Sequence, residues 1–183
     1  MALKATIFKA DLQLADLDRN HFETYPLILA RHPSETDERM MVRLLAFALY
    51  ADELLVFGKG LSTDEEPDLW RKDLTGNIAL WINVGQPDER WLRKAAGRAR
   101  QVVVFCYGGR VAEIWWEQNR ATLERLKNLT VLKLAPESTQ ALAALVSRNM
   151  SLQCMMQDGE VLVTGEGDPF RVEPVVLLAP SAA

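Results

Sequence analysis

Leu3 to Leu14 reads as a β-strand, and Asp16-Leu17-Asp18 punctuates it before a second extended run, Phe22 to Arg31. Together they predict a hairpin. Pro26 has no N–H to give to a ladder, so the second run belongs at a sheet edge or a bulge. Ser34, just after Pro33, precedes Asp37 at capping-box spacing and predicts a helix over about Glu35 to Glu53. Met40, Met41, Val42, Leu44, Leu45, Phe47, Ala48 and Leu49 leave that helix apolar on almost every side, which predicts burial all round.

Leu54 to Phe57 predicts a short strand ending at Gly58 and Gly60, with an acidic loop of Asp64, Glu65 and Glu66 behind it. Pro67 to Trp70 and, past Gly76, Asn77 to Val84 predict two more strands. The second alternates, with Ile78, Leu80, Ile82 and Val84 on one face and Ala79, Trp81 and Asn83 on the other. Pro87 opens a helix to about Arg100, and Gln101 to Tyr107 is an apolar run of the kind buried on both faces, turned by Gly108-Gly109. A helix over Arg110 to Lys127, a strand over Thr130 to Leu134 and a helix over Ser138 to Ser147 come next. A hairpin turned at Asp158-Gly159 and a final strand near Phe170 to Leu178 complete the chain. This order predicts an α/β or α+β fold, a mixed β-sheet with helices on both faces. No internal repeat or Gly/Ser linker divides it, so 1–183 is expected to be a single domain.

Composition narrows the class. With 183 residues, 49% of them hydrophobic and 25% charged, the chain is an ordinary globular protein rather than a collagen, a coiled coil or a disordered chain. Its net charge is −4, from 21 Lys and Arg against 25 Asp and Glu, so contact with nucleic acid has to come from a local basic patch. The longest uncharged apolar run, Leu44 to Ala51, is far shorter than the roughly 20 residues of a spanning helix, so no membrane partner is expected. Lys4, Lys9 and Asp11 interrupt any signal-peptide core. Cys106 and Cys154 have no second cysteine nearby and read as small buried hydrophobes of a reduced compartment. The expected location is the cytoplasm, as a monomer or homodimer.

Few residues suggest chemistry. Glu38 shares a helical stripe with Met41, Leu45 and Ala48, so its carboxylate stands at the end of an apolar stripe; the bland account is that a first helical turn favours acids. Asp68 follows Pro67 at the start of a strand, and Asn83 lies fifteen residues on, in mid-strand. Two oxygen-bearing side chains on adjacent strands with a helix carboxylate nearby can hold one Mg²⁺ and leave waters for chemistry. A Pro-Asp turn and a hydrogen-bonded buried amide explain the same residues without a metal. Between Asp88 and Arg110 the cations Arg90, Arg93, Lys94, Arg98, Arg100 and Arg110 face only Asp88 and Glu89. Arg90, Lys94 and Arg98 share one helix face, which is either a phosphate-holding surface or a solvated one. The Arg31-His32-Pro33-Ser34 corner has the makings of a phosphate-reading helix start. Trp115-Trp116 is expected in or near the core. No Ser-His-Asp or Cys-His spacing and no phosphate-cradling glycine loop occurs.

Several uncommon strings nevertheless stand in order: Ala15-Asp16-Leu17-Asp18-Arg19-Asn20, then Leu29-Ala30-Arg31-His32-Pro33-Ser34-Glu35-Thr36-Asp37-Glu38-Arg39-Met40-Met41. Further on come Tyr50-Ala51-Asp52-Glu53, Glu66-Pro67-Asp68-Leu69-Trp70, Gly85-Gln86-Pro87-Asp88-Glu89 and Ile114-Trp115-Trp116. Through these, and through Met1-Ala2-Leu3-Lys4-Ala5-Thr6, the chain resembles the bacterial YaeQ family from end to end. That family is similar to the PD-(D/E)XK nuclease-like group. The resemblance implies a restriction-endonuclease-like core with an added N-terminal hairpin and C-terminal strands.

In that group a helix glutamate, the Asp of the Pro-Asp pair and a strand acid bind Mg²⁺, and a lysine two residues after the strand acid helps the attacking water. Glu38 matches the helix acid and Asp68 the Pro-Asp acid. Asn83 stands where the strand acid belongs and Gly85 where the lysine belongs. An amide oxygen in place of a carboxylate removes one negative charge and weakens Mg²⁺ binding. Lys94, one or two turns into the following helix, is the candidate replacement for the lysine.

Two readings follow. In the first the protein is a Mg²⁺-dependent phosphodiester hydrolase, with Glu38, Asp68 and Asn83 as ligands and Lys94 stabilising phosphate or orienting water. Arg31, Arg90, Arg93 and Gln86 would then position the substrate. In the second it is a non-catalytic module that keeps the scaffold to bind nucleic acid or a protein partner.

Overall fold

The computed structural model describes residues 4–59, 63 and 65–181. Leu3 of the first expected strand, Gly60 and Asp64 lie outside the described residues. In chain order the elements are β1 (Thr6–Asp16), β2 (His21–Arg31), α1 (Asp37–Tyr50), β3 (Leu55–Phe57), β4 (Leu69–Lys72), β5 (Ile78–Val84), α2 (Glu89–Arg98) and β6 (Ala99–Cys106). They continue with α3 (Arg110–Leu123), β7 (Leu129–Lys133), α4 (Pro136–Ala143), β8 (Asn149–Gln157), β9 (Glu160–Thr164), β10 (Phe170–Val172) and β11 (Val175–Leu178). The fold is mixed α+β. Its strands divide between two mixed sheets, and its chain between two compact units, Met1–Leu49 with Ala135–Pro174 and Tyr50–Leu134 with Val175–Ala183.

The first unit holds the sheet β10-β9-β8-β1-β2. β1 and β2 form the expected antiparallel hairpin, in register from Thr6↔Arg31 to Asp16↔His21. β2 is the edge strand, where Pro26 costs no ladder bond. β1 pairs in parallel with β8, and β8 turns into β9 at Asp158-Gly159, whose φ angles of 54° and 78° are those of a tight hairpin turn. Phe8, Ala10, Leu12, Leu14, Leu27, Leu29, Met150, Leu152 and Cys154 bury one face, while Ile7, Phe22, Ile28 and Met155 stand exposed on the other.

α1 starts later than its sequence suggests. Thr36, not Ser34, caps it: Thr36 Oγ1 accepts from the Arg39 N–H (3.1 Å) and its carbonyl from the Met40 N–H (3.2 Å). Ser34 is engaged elsewhere, its N–H (3.1 Å) and hydroxyl (2.7 Å) both meeting His32 Nδ1. Met40 through Ala48 are all buried, as the apolar pattern required, and the run includes Arg43. The Arg43 guanidinium reaches Glu35 through Nε (2.9 Å) and Nη2 (2.6 Å) and the Ala30 carbonyl (3.0 Å), while Arg39 Nη1 adds a third bond to Glu35 (2.6 Å). Glu35 lies before the helix, so the preference of a first turn for acids does not explain it.

The second unit holds the sheet β11-β7-β6-β5-β4-β3. β5, β6 and β7 are parallel and joined by α2 and α3; the flanking strands are antiparallel. Both crossovers step the same way across the sheet, so right-handed connection puts both helices on one face. Trp81, Val102, Val104 and Val131 pack there with Leu92 and Ala95 of α2 and Ala112 and Trp115 of α3. Val102 to Cys106 are buried without a break, as their apolar run foretold. The expected final strand is two: β10 joins the first sheet and β11 the second, because Pro174 between them cannot continue a ladder.

Cys106 and Cys154 are buried and unpaired with each other; burial pushes their thiols up to about 11 and about 12, so both stay protonated and unreactive at neutral pH. Among the described residues no helix is long and apolar enough to cross a membrane.

Candidate functional site

Asp68 and Asn83 meet in the second unit. β4 and β5 pair through Leu69↔Ile82, which sets Asp68 across from Asn83 one step further along the antiparallel ladder. Three backbone links fix Asp68: its N–H donates to the Ile82 carbonyl (3.1 Å), its carbonyl accepts from Gly58 (2.8 Å), and its Oδ2 accepts from the Val84 N–H (2.8 Å). Gly58 is required there, since a Cβ would stand 2.1 Å from the Pro67 carbonyl oxygen. Both side chains are out of water, Asp68 at 1% exposure and Asn83 at 2%.

Asn83 faces the helix-covered side with Trp81, two residues before it, and Trp81 Nε1–H donates to Asn83 Oδ1 at 2.6 Å. Trp70 packs edge-on against Trp81 with ring centroids 6.0 Å apart, and the Arg98 guanidinium lies 5.2 Å from the Trp81 ring. The amide is therefore part of a packed aromatic wall. At the end of β5, Gly85 has φ +96° and donates to the Phe105 carbonyl (2.8 Å). A lysine at this position would have space, but on a backbone conformation that L side chains rarely adopt.

Gln86 gives its amide N–H to the Tyr107 carbonyl, tying the loop after β5 to the loop after β6. Pro87 accepts from Trp115 Nε1 (2.9 Å), which confirms Trp115 as a core residue. Asp88 caps α2, and the bonds from Arg90 hold its carboxyl down at about 2. Three exposed cations of α2 have an acid beside them: Arg90 has Asp88 (2.8 Å), Arg93 has Glu89 (2.8 Å), and Lys94 has Glu65 of the acidic loop. Arg98 reaches the Glu65 carbonyl (3.3 Å).

Glu38 and Arg31 belong to the first unit. Glu38 is half-buried in the first turn of α1 and makes no hydrogen bond or ion pair among the described residues. Arg31 is paired with Asp37, and its guanidinium sits 5.0 Å from the Phe8 ring centroid. A second guanidinium, that of Arg148, lies 5.5 Å from the same ring. Sequence reasoning missed Arg148, because only the pairing of β1 with β8 brings it to Phe8. The phosphate-reading corner expected at Arg31-His32-Pro33-Ser34 does not form as such, since the Ser34 and Glu35 N–H groups already donate to His32.

By itself the Asp68–Asn83 pair offers a metal one negative charge, and Asp68 Oδ2 and Asn83 Oδ1 each accept one hydrogen bond. Among the described residues no group of three or more His, Cys, Asp or Glu is gathered to hold a metal.

A family model described as YaeQ protein matches residues 1–174. The chain belongs to the YaeQ family. The proteins described as uncharacterized protein YaeQ in Escherichia coli (strain K12) and Salmonella typhi are 46% and 44% identical to it over 181 residues, 99% of this chain and 100% of theirs. The crystal structure of YaeQ protein from Xanthomonas axonopodis pv. citri superposes with a TM-score of 0.92 at 50% identity, covering 96% of this chain and 99% of that one. The YaeQ protein from Pseudomonas syringae gives 0.91 at 36% identity, with 96% and 97% covered. The YaeQ fold is thus shared along nearly the whole chain.

Proposed function

We propose that this YaeQ-family protein binds nucleic acid through the exposed face of α2 and does not hydrolyse it. The observation that carries this reading is the state of the Asp68–Asn83 corner, where the oxygens a catalytic metal needs serve as acceptors for Val84 and Trp81. The resemblance to the PD-(D/E)XK group supports a nuclease-derived scaffold, and the amide at 83 and glycine at 85 support a site that has lost its metal. Binding is supported by the cations of α2. Arg90, Arg93 and Lys94 keep 73%, 55% and 42% of their side chains exposed, so their ion pairs are weak, screened by solvent, and yield to a phosphate backbone.

The test is fluorescence anisotropy with labelled single- and double-stranded DNA and RNA over a salt series, with a cleavage assay in Mg²⁺ and Mn²⁺ alongside. Expected are affinity falling linearly with log salt, a shallower slope in Arg93→Ala and Lys94→Ala, and intact substrate. Metal-dependent cleavage abolished by Asp68→Ala would overturn the non-hydrolytic half of the reading. Absence of binding at low salt would overturn the other half.

A further inference from the structure

We infer that the outer face of the first sheet is a dimer interface, covered in solution by the same face of a second copy of this chain. The face shares no residue with α2. Side chains of β1, β2, β8 and β9 point alternately to the buried face and to this one. An antiparallel sheet that faces water is polar on its outer side. Here Phe22 (57% exposed), Ile28 (63%), Ile7 and Met155 stand outward, and the half-buried Leu162 lies beside Met155. Within the strands the charges on this face are Lys9, Asp11, Glu160 and Arg171, two of each sign, and Glu160 is already paired with Arg171 (3.1 Å). A neutral, charge-poor surface carrying an aromatic ring and a methionine has the composition of an interface core. Phosphates and strongly charged partners find no matching field there.

Area and register single out a second copy as the occupant. Strands about 4.8 Å apart that rise about 3.3 Å per residue give each residue roughly 16 Å² of sheet. Strands of 11, 11, 9, 5 and 3 residues therefore span roughly 600 Å². Two such faces together bury roughly 1,200 Å², the lower bound of a standard stable interface. The register sets Phe22 beside Ala15, Thr24 beside Gln13, Pro26 beside Asp11 and Ile28 beside Lys9. A two-fold axis between the faces, crossing the strands between Thr24 and Pro26, lays Phe22 of each copy over Ile28 of the other. The same axis lays the Gln13 amide over the Asp11 carboxylate and Ala15 over the stem of Lys9, so no like charges come into register. The face has room for these knobs, with depressions of about 430 Å³ beside Phe22 and Thr24 and about 350 Å³ over Ala15 and Met155. Pro26 interrupts the free edge of β2, which disfavours the alternative of two copies joined edge to edge there.

The experiment is analytical ultracentrifugation of the whole chain from about 1 to 100 μM, where a dimer with a micromolar Kd is expected. Two-fold symmetry counts every substitution twice. Phe22→Glu should weaken each of its two contacts about tenfold and the dimer about a hundredfold. Its circular dichroism should match wild type, because the side chain is exposed in the single chain. Phe22→Cys combined with Ile28→Cys should give a disulfide-linked dimer under mild oxidation, since the native Cys106 and Cys154 are buried and unreactive. Wild type that stays monomeric at about 100 μM overturns the proposal. So does a dimer that Phe22→Glu leaves intact, or a double cysteine variant that fails to cross-link. A monomer whose nucleic-acid affinity falls in Phe22→Glu would give the face to that ligand instead. Arg93→Ala and Lys94→Ala should leave the dimer unchanged, so this inference and the reading of α2 fail separately.

Discussion

Glu35→Ala should be among the most damaging single substitutions in the first unit. The carboxylate is buried, and it accepts from Nε and Nη2 of an equally buried Arg43 and from Nη1 of Arg39. Alanine leaves the Arg43 charge in place at 3% exposure with its main counter-charge gone. Breaking a buried pair in this way costs about 3–5 kcal/mol. In a chain of this length each kcal/mol moves Tm by about 2–4 °C, so the expected loss is roughly 6–20 °C. The exposed pair Arg31–Asp37 is the internal control: Asp37→Asn should change stability by about 1 kcal/mol or less. The assay is urea unfolding followed by circular dichroism, with Tm by scanning calorimetry. The argument makes a second, sharper demand. If the damage comes from an orphaned charge and not from lost contacts, replacing both partners with apolar residues, Glu35→Met with Arg43→Leu, should recover most of it. A double variant no more stable than Glu35→Ala would refute the reasoning.

Four further outcomes are expected. In a double-mutant cycle, Asn83→Leu and Trp81→Phe should couple by about 1–3 kcal/mol, because either change alone orphans a buried hydrogen-bonding group; additivity would mean that the 2.6 Å bond contributes nothing. Addition of about 10 mM Mg²⁺ should leave Tm where it was, and a clear upward shift lost in Asp68→Ala would show that the donor set binds metal after all. The carboxyls of Asp73, lowered to about 2 first by the Thr75 hydroxyl, and of Asp88, lowered to about 2 first by the Arg90 side chain, are both depressed on folding. Their stabilisation is complete above the unfolded value of about 4 and is lost as pH falls toward about 2, so Asp88→Asn should lower stability at neutral pH, flatten the acid limb of the stability curve in that window, and converge with wild type below it. The thiols of Cys106 and Cys154 are raised on folding, so the native chain should resist a thiol reagent at pH 8 and react at both positions in denaturant; rapid native labelling would contradict their burial.

What the sequence revealed was local. The β1–β2 hairpin, the edge position of Pro26, the Asp158-Gly159 turn and the doubly buried β6 all follow from residues within a few positions of one another. What it hid was set by partners distant in the chain. Nothing near Phe170 to Leu178 says that its two halves belong to different sheets, although Pro174 marks the break. Arg148 reaches the Phe8 ring only through the parallel pairing of β1 with β8. The capping error arose because Ser34 and Thr36 are both good caps, and His32 decided between them by engaging Ser34. The partner of Asn83 was legible in principle: Trp81 stands two residues away on the same face of a strand, within reach of an amide that needs a donor.

The pairing of β1 with β8 also sets a schedule for the chain as it is made. Translation at about 5–20 residues per second delivers β8 on the order of ten seconds after β2. During that wait β1 has one edge satisfied by β2 and the other open, with Phe8, Leu12 and Leu14 uncovered beside it. The second unit waits too, since β11, the strand that closes the outer side of β7, is the last element to emerge. Neither sheet can be completed until strands far along the chain, β8 for one and β11 for the other, have been made. The nascent chain therefore carries an unpaired, apolar strand from the time β2 is made until β8 emerges, and it is then, more than in the finished fold, that it is most exposed to mispairing with a neighbour and most in need of a holdase.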